Sequence, residues 1–215
     1  MSTKGTIYLI DDDDAVRDAL AWMLRTRRML SEGFDSAERF WTEAQTWTDG
    51  PPGPCCALLD LRMPGMSGLA LFDRLRVLPW FEALPVIFLS GHADVPTAVD
   101  AVLRGAVQFC EKPFSDNQLV AHIERALQLS ARALDERQRR RQVQARVASL
   151  TERELAVMQL MTEGLPNKLI ADRLDISTRT VEVHRARVFE KMSCKSLVEL
   201  VQVLGQDAER MAPRA

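Results

Sequence analysis

Apolar and polar positions fall into two rhythms along this chain. Over the first 127 residues, short apolar runs rich in Val, Ile, Leu and Phe alternate with stretches of helical periodicity. "TIYLI", "CALL", "PVIFL" and "AVQFCE" are such runs, and they read as buried parallel strands. "AVRDALAWMLRTRR" reads as the first helix, with Asp14 as its N-cap and Asp13 as a solvated loop residue. From Leu150 onward only helical spacing remains. Thr151 and Glu154 form a capping box before "LAVMQLM", Gly164 closes that helix, and Pro166 opens "PNKLIADRLD" as its first residue. Ser177 is an N-cap for "TRTVEVHRARVFEKM", whose Arg content and tight entry predict a helix-turn-helix pair. Between the two regions, residues 128–149 hold no Gly or Pro and consist largely of helix formers, so a helix starting near Ser115 is expected to run on as a linker. The predicted organisation is an α/β domain over 1–127, a helical linker over 128–149 and an all-α domain over 150–215.

The strand ends carry the chemistry. Asp11 and Asp12 follow "TIYLI", Asp60 follows "CALL", Ser90 follows "PVIFL" and Lys112 follows "AVQFCE". In an open α/β sheet, ligands bind beyond the carboxyl ends of the strands, so these five side chains can converge. Any one Asp there could be a turn or helix cap; five in step with the strands describe an acidic pocket. Such a pocket suits a hard divalent cation, Mg2+ above all, which takes carboxylate oxygens and keeps positions for water and phosphate. Asp60 can then act as a nucleophile towards a phosphoryl donor, with Lys112 and Ser90 serving the transferred oxygens.

Asp60, Ser90 and Lys112 are separated by 30 and 22 residues, and "LLDLRMPGMSG" and "FCEKPF" resemble the phosphoacceptor and lysine motifs of bacterial two-component receiver domains. That resemblance implies a five-stranded parallel sheet in the order 2-1-3-4-5 with helices on both faces. It implies phosphorylation on Asp60 by a partner histidine kinase, and a Mg2+ site of Asp11, Asp12, Asp60 and the Arg62 backbone carbonyl. Arg17, five positions after Asp12, fixes the register of the acidic pair. Ser90 and Phe109 are the implied switch pair of a face from about Val95 to Cys110. Arg62 and His92 flank the site.

Charge divides along the chain. Residues 1–127 carry 12 Lys or Arg and 18 Asp or Glu, a net of −6, whereas 128–215 carry 16 and 12, a net of +4. The basic half is the candidate nucleic-acid reader. No segment approaches the roughly 18 apolar residues of a membrane span, and no signal-peptide layout is present, so a cytoplasmic protein is expected. Cys55, Cys56, Cys110 and Cys194 lack metal-site spacing and read as core residues. Arg137, Arg139, Arg140 and Arg141 are either a solvated helix face or a DNA-backbone contact.

On a helical wheel of about 100° per residue, Val188 and Met192 fall near Val181 and define the buried stripe. Opposite lie Arg179, Glu182, Val183, Ala186, Arg187 and Glu190. Arg179, Glu182, Val183 and Ala186 are the candidate base readers, with Glu182 able to accept from cytosine N4 and the small apolar side chains able to meet thymine methyls. Asn167, Lys168, Thr180, Arg187 and Lys191 are the candidate phosphate contacts. His184 flanks the core side as a structural residue.

The run "LTERE…GLPNKLIADRLDISTRTVEVHRARVFEKM…KSLVEL" resembles the four-helix LuxR-type DNA-binding domain of NarL/FixJ response regulators, and "SGHADVP" and "RTVEVHRARV" point to the FixJ branch. The family implies phosphorylation-promoted homodimers, pairing through the last helix at about Ser196 to Leu204, promoter DNA and RNA polymerase as partners, and no enzymatic turnover beyond phosphoryl gain and loss at Asp60. Many members carry Lys at the position of Glu182, so base preference does not transfer. A metal-dependent phosphatase or mutase would want a second Asp two residues after the nucleophile, where Arg62 stands. A constitutive DNA-binding regulator with a phosphate-independent receiver is the other alternative, although the acids, the hydroxyl and the lysine are all retained.

Overall fold

The computed structural model describes residues 5–91 and 95–211. Five strands form one parallel sheet: β1 (Thr6–Ile10), β2 (Leu30–Phe34), β3 (Cys55–Asp60), β4 (Val86–Ser90) and β5 (Gln108–Glu111), in the order β2-β1-β3-β4-β5. Side chains of a strand point alternately to its two faces. Tyr8 and Ile10 of β1 accordingly enter one core, and Ile7 and Leu9 enter the other. The first core is covered by α2 (Ala37–Gln45), α3 (Gly68–Arg76) and α4 (Val95–Leu103); the second by α1 (Asp14–Thr26) and α5 (Asp116–Ala148). Every residue of β3 is buried, as expected for a strand covered on both faces. Leu58 and Leu59 of β3 and Phe88 of β4 are fully buried, and each such side chain contributes about 1.5–3 kcal/mol over an exposed one.

The cap of α1 differs from the expected one. Asp13, not Asp14, is the N-cap: its carboxylate accepts from the Ala15 N–H at 2.9 Å, and its carbonyl accepts from the Arg17 N–H at 3.0 Å. Asp14 is the first helical residue, an exposed acid near the positive end of the helix that pairs with Arg17. All four cysteines are buried. Burial pushes the Cys55 thiol up to about 12, so it carries no thiolate at neutral pH.

The chain divides into two compact units, residues 1–135 and 136–215, and the division falls inside α5. Ser130 ties α5 to the first unit. Its buried hydroxyl donates to the Ala83 carbonyl at 2.6 Å and accepts from the Cys55 N–H at 2.9 Å.

The second unit contains α6 (Glu152–Thr162), α7 (Asn167–Leu174), α8 (Thr178–Met192) and α9 (Leu197–Met211). Val157, Met161, Ile170, Val181, Val188, Met192 and Leu200 form its core, with Val143 and Val147 of α5 packed against it. The capping box is formed: Thr151 Oγ1 accepts from the Glu154 N–H, and the Glu154 carboxylate accepts from the Thr151 N–H. Gly164 has φ +83 just past α6, the left-handed turn that favours glycine. Pro166 stands one position earlier than expected, at the N-cap of α7 rather than as its first residue. Its carbonyl accepts from the Ile170 N–H at 3.1 Å, so its missing N–H still costs the helix nothing.

Candidate functional site

The acidic pocket stands at the carboxyl end of the sheet. Asp11 follows β1, Asp60 ends β3, Ser90 ends β4 and Lys112 follows β5. The Lys112 N–H donates to the Ser90 carbonyl at 2.7 Å, which fixes the β5 exit beside β4. From there the Lys112 ammonium reaches Asp11 Oδ2 and Asp60 Oδ1, each at 2.8 Å. The other oxygen of each carboxylate is held by the backbone amide two residues on: Asp13 N–H to Asp11 Oδ1 at 3.0 Å, and Arg62 N–H to Asp60 Oδ2 at 2.7 Å. Two acids thus present one oxygen each to a single cation. Burial opposes the Lys112 charge, but the hydrogen bonds and charges of Asp11 and Asp60 outweigh it and raise its pKa.

Close packing locks the backbone behind Asp60. A Cβ at Gly68 would lie 2.1 Å from the Asp60 carbonyl oxygen, so the start of α3 can approach the strand end only as glycine. The Gly68 N–H also donates to the Leu61 carbonyl at 3.1 Å. Ser90 is buried beside this site. Phe109 is half-buried on β5 and stacks on Phe88 with ring centroids 6.2 Å apart. His92 lies outside the described residues.

Asp12 is exposed, and among the described residues no group of three His, Cys, Asp or Glu is assembled as a metal site. The donor chemistry nevertheless suits a hard divalent cation. Asp11, Asp60 and Lys112 sum to one negative charge, the neighbouring Asp12 adds a second, and the carboxylates offer only oxygens.

In the second unit, α8 presents Arg179, Glu182, Val183, Ala186, Arg187 and Glu190 on its exposed side and buries Val181, Val188 and Met192. Ser177 caps it by accepting from the Thr180 N–H at 3.1 Å, and its hydroxyl also meets that of Thr180. Lys168 is exposed, whereas Asn167 and Thr180 are half-buried. His184 is half-buried, and its buried Nδ1 has no hydrogen-bond partner among the described residues.

Lys191, expected as a phosphate contact, has partners within its own unit. Its ammonium bonds the buried carboxylate of Glu154 at 2.6 Å and the Ser149 carbonyl at 3.0 Å. Reaching a DNA phosphate would exchange this ion pair for another and leave the Glu154 carboxylate with the Thr151 N–H bond alone. This pairing was not legible in the sequence, because Glu154 already had a complete local explanation in the capping box.

A parallel sheet in this order, an acid pair bridged by lysine at its carboxyl end and a separate helix-turn-helix unit together define a response regulator. The Response regulator receiver domain model matches residues 7–124, and that of the Bacterial regulatory proteins, luxR family, matches 148–204. The chain belongs to the two-component response regulators of the FixJ-like kind, which join a receiver to a LuxR-type DNA-binding domain. It is 44% identical over 205 residues to the Transcriptional regulatory protein FixJ of Bradyrhizobium diazoefficiens, covering 94% of this chain and 96% of the relative. It is also 44% identical over 200 residues to the C4-dicarboxylate transport transcriptional regulatory protein DctR of Rhodobacter capsulatus, covering 92% and 98%. Among solved structures, the response regulator StyR matches with a TM-score of 0.81 at 37% identity, covering 94% of this chain and 99% of that one. Receiver domains generally bind Mg2+ at their phosphorylation site.

Proposed function

We propose that this regulator is phosphorylated on Asp60 by a sensor histidine kinase, and that the phosphoryl group promotes homodimerisation and sequence-specific promoter binding. The observation that carries this reading is the Lys112 bridge between Asp11 and Asp60. It holds the Asp60 carboxylate in one orientation at the open end of the sheet, as a nucleophile needs. Asp60 attacks the phosphorus of a phosphohistidine; the P–O bond forms as the P–N bond breaks, and the electron pair leaves with the imidazole. Lys112 then exchanges carboxylate partners for phosphoryl oxygens, and Ser90 donates its hydroxyl to another. Asp11, Asp12, Asp60 and the Arg62 carbonyl would hold Mg2+, which would neutralise charge on the transferred group.

The new charge acts on a face that includes Val99, Val102 and the ring of Phe109, biasing a two-state element towards a paired form; Ala101, expected on that face, is buried in the core. Val99 and Val102 are exposed, and a second copy would cover them. Residues 128–149 serve as the helical connection to the DNA-binding domain. There Asn167, Lys168, Thr180 and Arg187 position the domain on phosphates, and Arg179, Glu182, Val183 and Ala186 face base edges. Bacterial promoters and RNA polymerase place this work in the cytoplasm. The protein turns over no separate substrate; phosphoryl gain and loss at Asp60 is its only chemistry.

The test is labelling by acetyl phosphate with Mg2+. Wild type is expected to gain one phosphoryl group, lost in Asp60→Asn because an amide is not a nucleophile. Undiminished labelling of Asp60→Asn contradicts the assignment.

A further inference from the structure

The loop that follows Asp60 is anchored from outside. Glu38, in the first turn of α2, is 28 residues from Met66, yet its Oε1 accepts the Met66 N–H at 2.7 Å. The approach depends on Gly65, which has φ +74; a Cβ there would stand 2.7 Å from the same Oε1. A carboxylate accepting a backbone N–H at this length makes one of the stronger hydrogen bonds available to an exposed group. The loop between the two fixed points is short. At one end the Arg62 N–H donates to Asp60 Oδ2 at 2.7 Å; at the other, Ser67 caps α3 and Gly68 packs on the Asp60 carbonyl. Met63 is buried in the core between them.

From this geometry we infer that Glu38 is a positioning residue for phosphoryl transfer: by holding Met66 and Gly65, it fixes the 62–66 loop whose Arg62 amide orients the Asp60 carboxylate. The inference rests on the reading of Asp60 as phosphoacceptor. Glu38 touches neither Asp60 nor the phosphoryl group. Its effect passes through the loop backbone, and a slack loop lets Asp60 Oδ2 lose its donor and the Arg62 carbonyl lose its place.

Two variants separate the hydrogen bond from the charge. Glu38→Gln keeps an acceptor oxygen but removes the charge near the N-terminus of α2, whereas Glu38→Ala removes both. Amide exchange in the full-length, metal-free protein reads the loop directly. Losing one charge-assisted bond is expected to speed exchange at Met66 and at Arg62 by about tenfold in Glu38→Ala, with β4 amides unchanged and Glu38→Gln near wild type. Labelling by acetyl phosphate is then expected to need several-fold more Mg2+ for half-saturation in Glu38→Ala, with the plateau retained. Faster exchange at Met66 with Arg62 unaffected overturns the relay from Glu38 to Asp60. Equal losses in both variants assign the effect to helix charge and also overturn it. Failure of Asp60→Asn to abolish wild-type labelling would instead refute the phosphoacceptor reading, and the exchange result would still report on the loop.

Discussion

Asp11 and Asp60 are held alike: each gives one oxygen to the amide two residues further on and the other, at 2.8 Å, to Lys112 Nζ. A lysine in that place stands where a divalent cation would be drawn, so the two cations are linked. In Lys112→Met the metal-free receiver is expected to lose about 1–3 kcal/mol, because two largely buried carboxylates lose their shared partner. Mg2+ is expected to recover more stability for the variant than for wild type. All four tryptophans lie within residues 1–135, so denaturant unfolding followed by tryptophan fluorescence reports that unit alone. An equal Mg2+ effect on the two proteins would dissociate Lys112 from the metal site.

Glu154 titrates far from an ordinary carboxyl. The Lys191 hydrogen bond, then the Thr151 amide, lower it from 4.5 to about 2. A depressed folded pKa means that Glu154 contributes its stability above about pH 4.5 and loses it as pH falls towards 2. Lys191→Met is expected to move the Glu154 titration upward and to bring acid unfolding of the second unit to higher pH. A carboxyl-carbon NMR titration reads the first directly, and an unmoved titration in the variant would show that Lys191 is not the cause.

Positioning and reading on DNA are separable. Lys168→Ala is expected to weaken binding to all sequences alike and to reduce the salt slope by about one, since each phosphate contact releases about one counterion. Lys191→Met is expected to change that slope less, because its charge is already met by Glu154. Glu182→Ala is expected to alter base preference at one or two positions by about 1–3 kcal/mol with the slope nearly intact. Selection from randomised half-sites decides between these. A wild-type preference in Glu182→Ala, with an altered one in Lys168→Ala, would mean that α8 meets DNA on a different face.

Much of this was legible in the chain. β1 and β4 are short apolar runs buried on both faces, and α8 buries Val181, Val188 and Met192 as its wheel requires. β2 gave no such signal. It is the edge strand, only Phe34 of its five residues is buried, and Gly33 interrupts it, so "LSEGF" resembles a loop. The sheet order came from resemblance, since periodicity is silent about which strands are neighbours. Local rules also misplaced a cap by one residue at Asp13 and Asp14, where four successive acids offer the same chemistry. The pairings of Lys191 and Glu38 were missed for a common reason. Each partner lies far away in sequence, at Glu154 and Met66, and a helical wheel sees only the exposed face of its own helix.

Pairing of copies tests the step between phosphorylation and DNA. With beryllofluoride, which stands in for the phosphoryl group on Asp60, sedimentation is expected to shift wild type from monomer towards dimer and to leave Asp60→Asn unchanged. Identical mass distributions for wild type with and without beryllofluoride would indicate a receiver that pairs, or fails to pair, irrespective of phosphate.

The measurement that bears most directly on control by phosphorylation is promoter-fragment affinity of the full-length protein with and without beryllofluoride, for wild type and Asp60→Asn at one fixed salt concentration. Wild type is expected to bind selected fragments at least tenfold more tightly with the mimic, and Asp60→Asn to show no change. Equal affinity of wild type in both states would contradict phosphorylation control and identify a constitutive DNA-binding regulator.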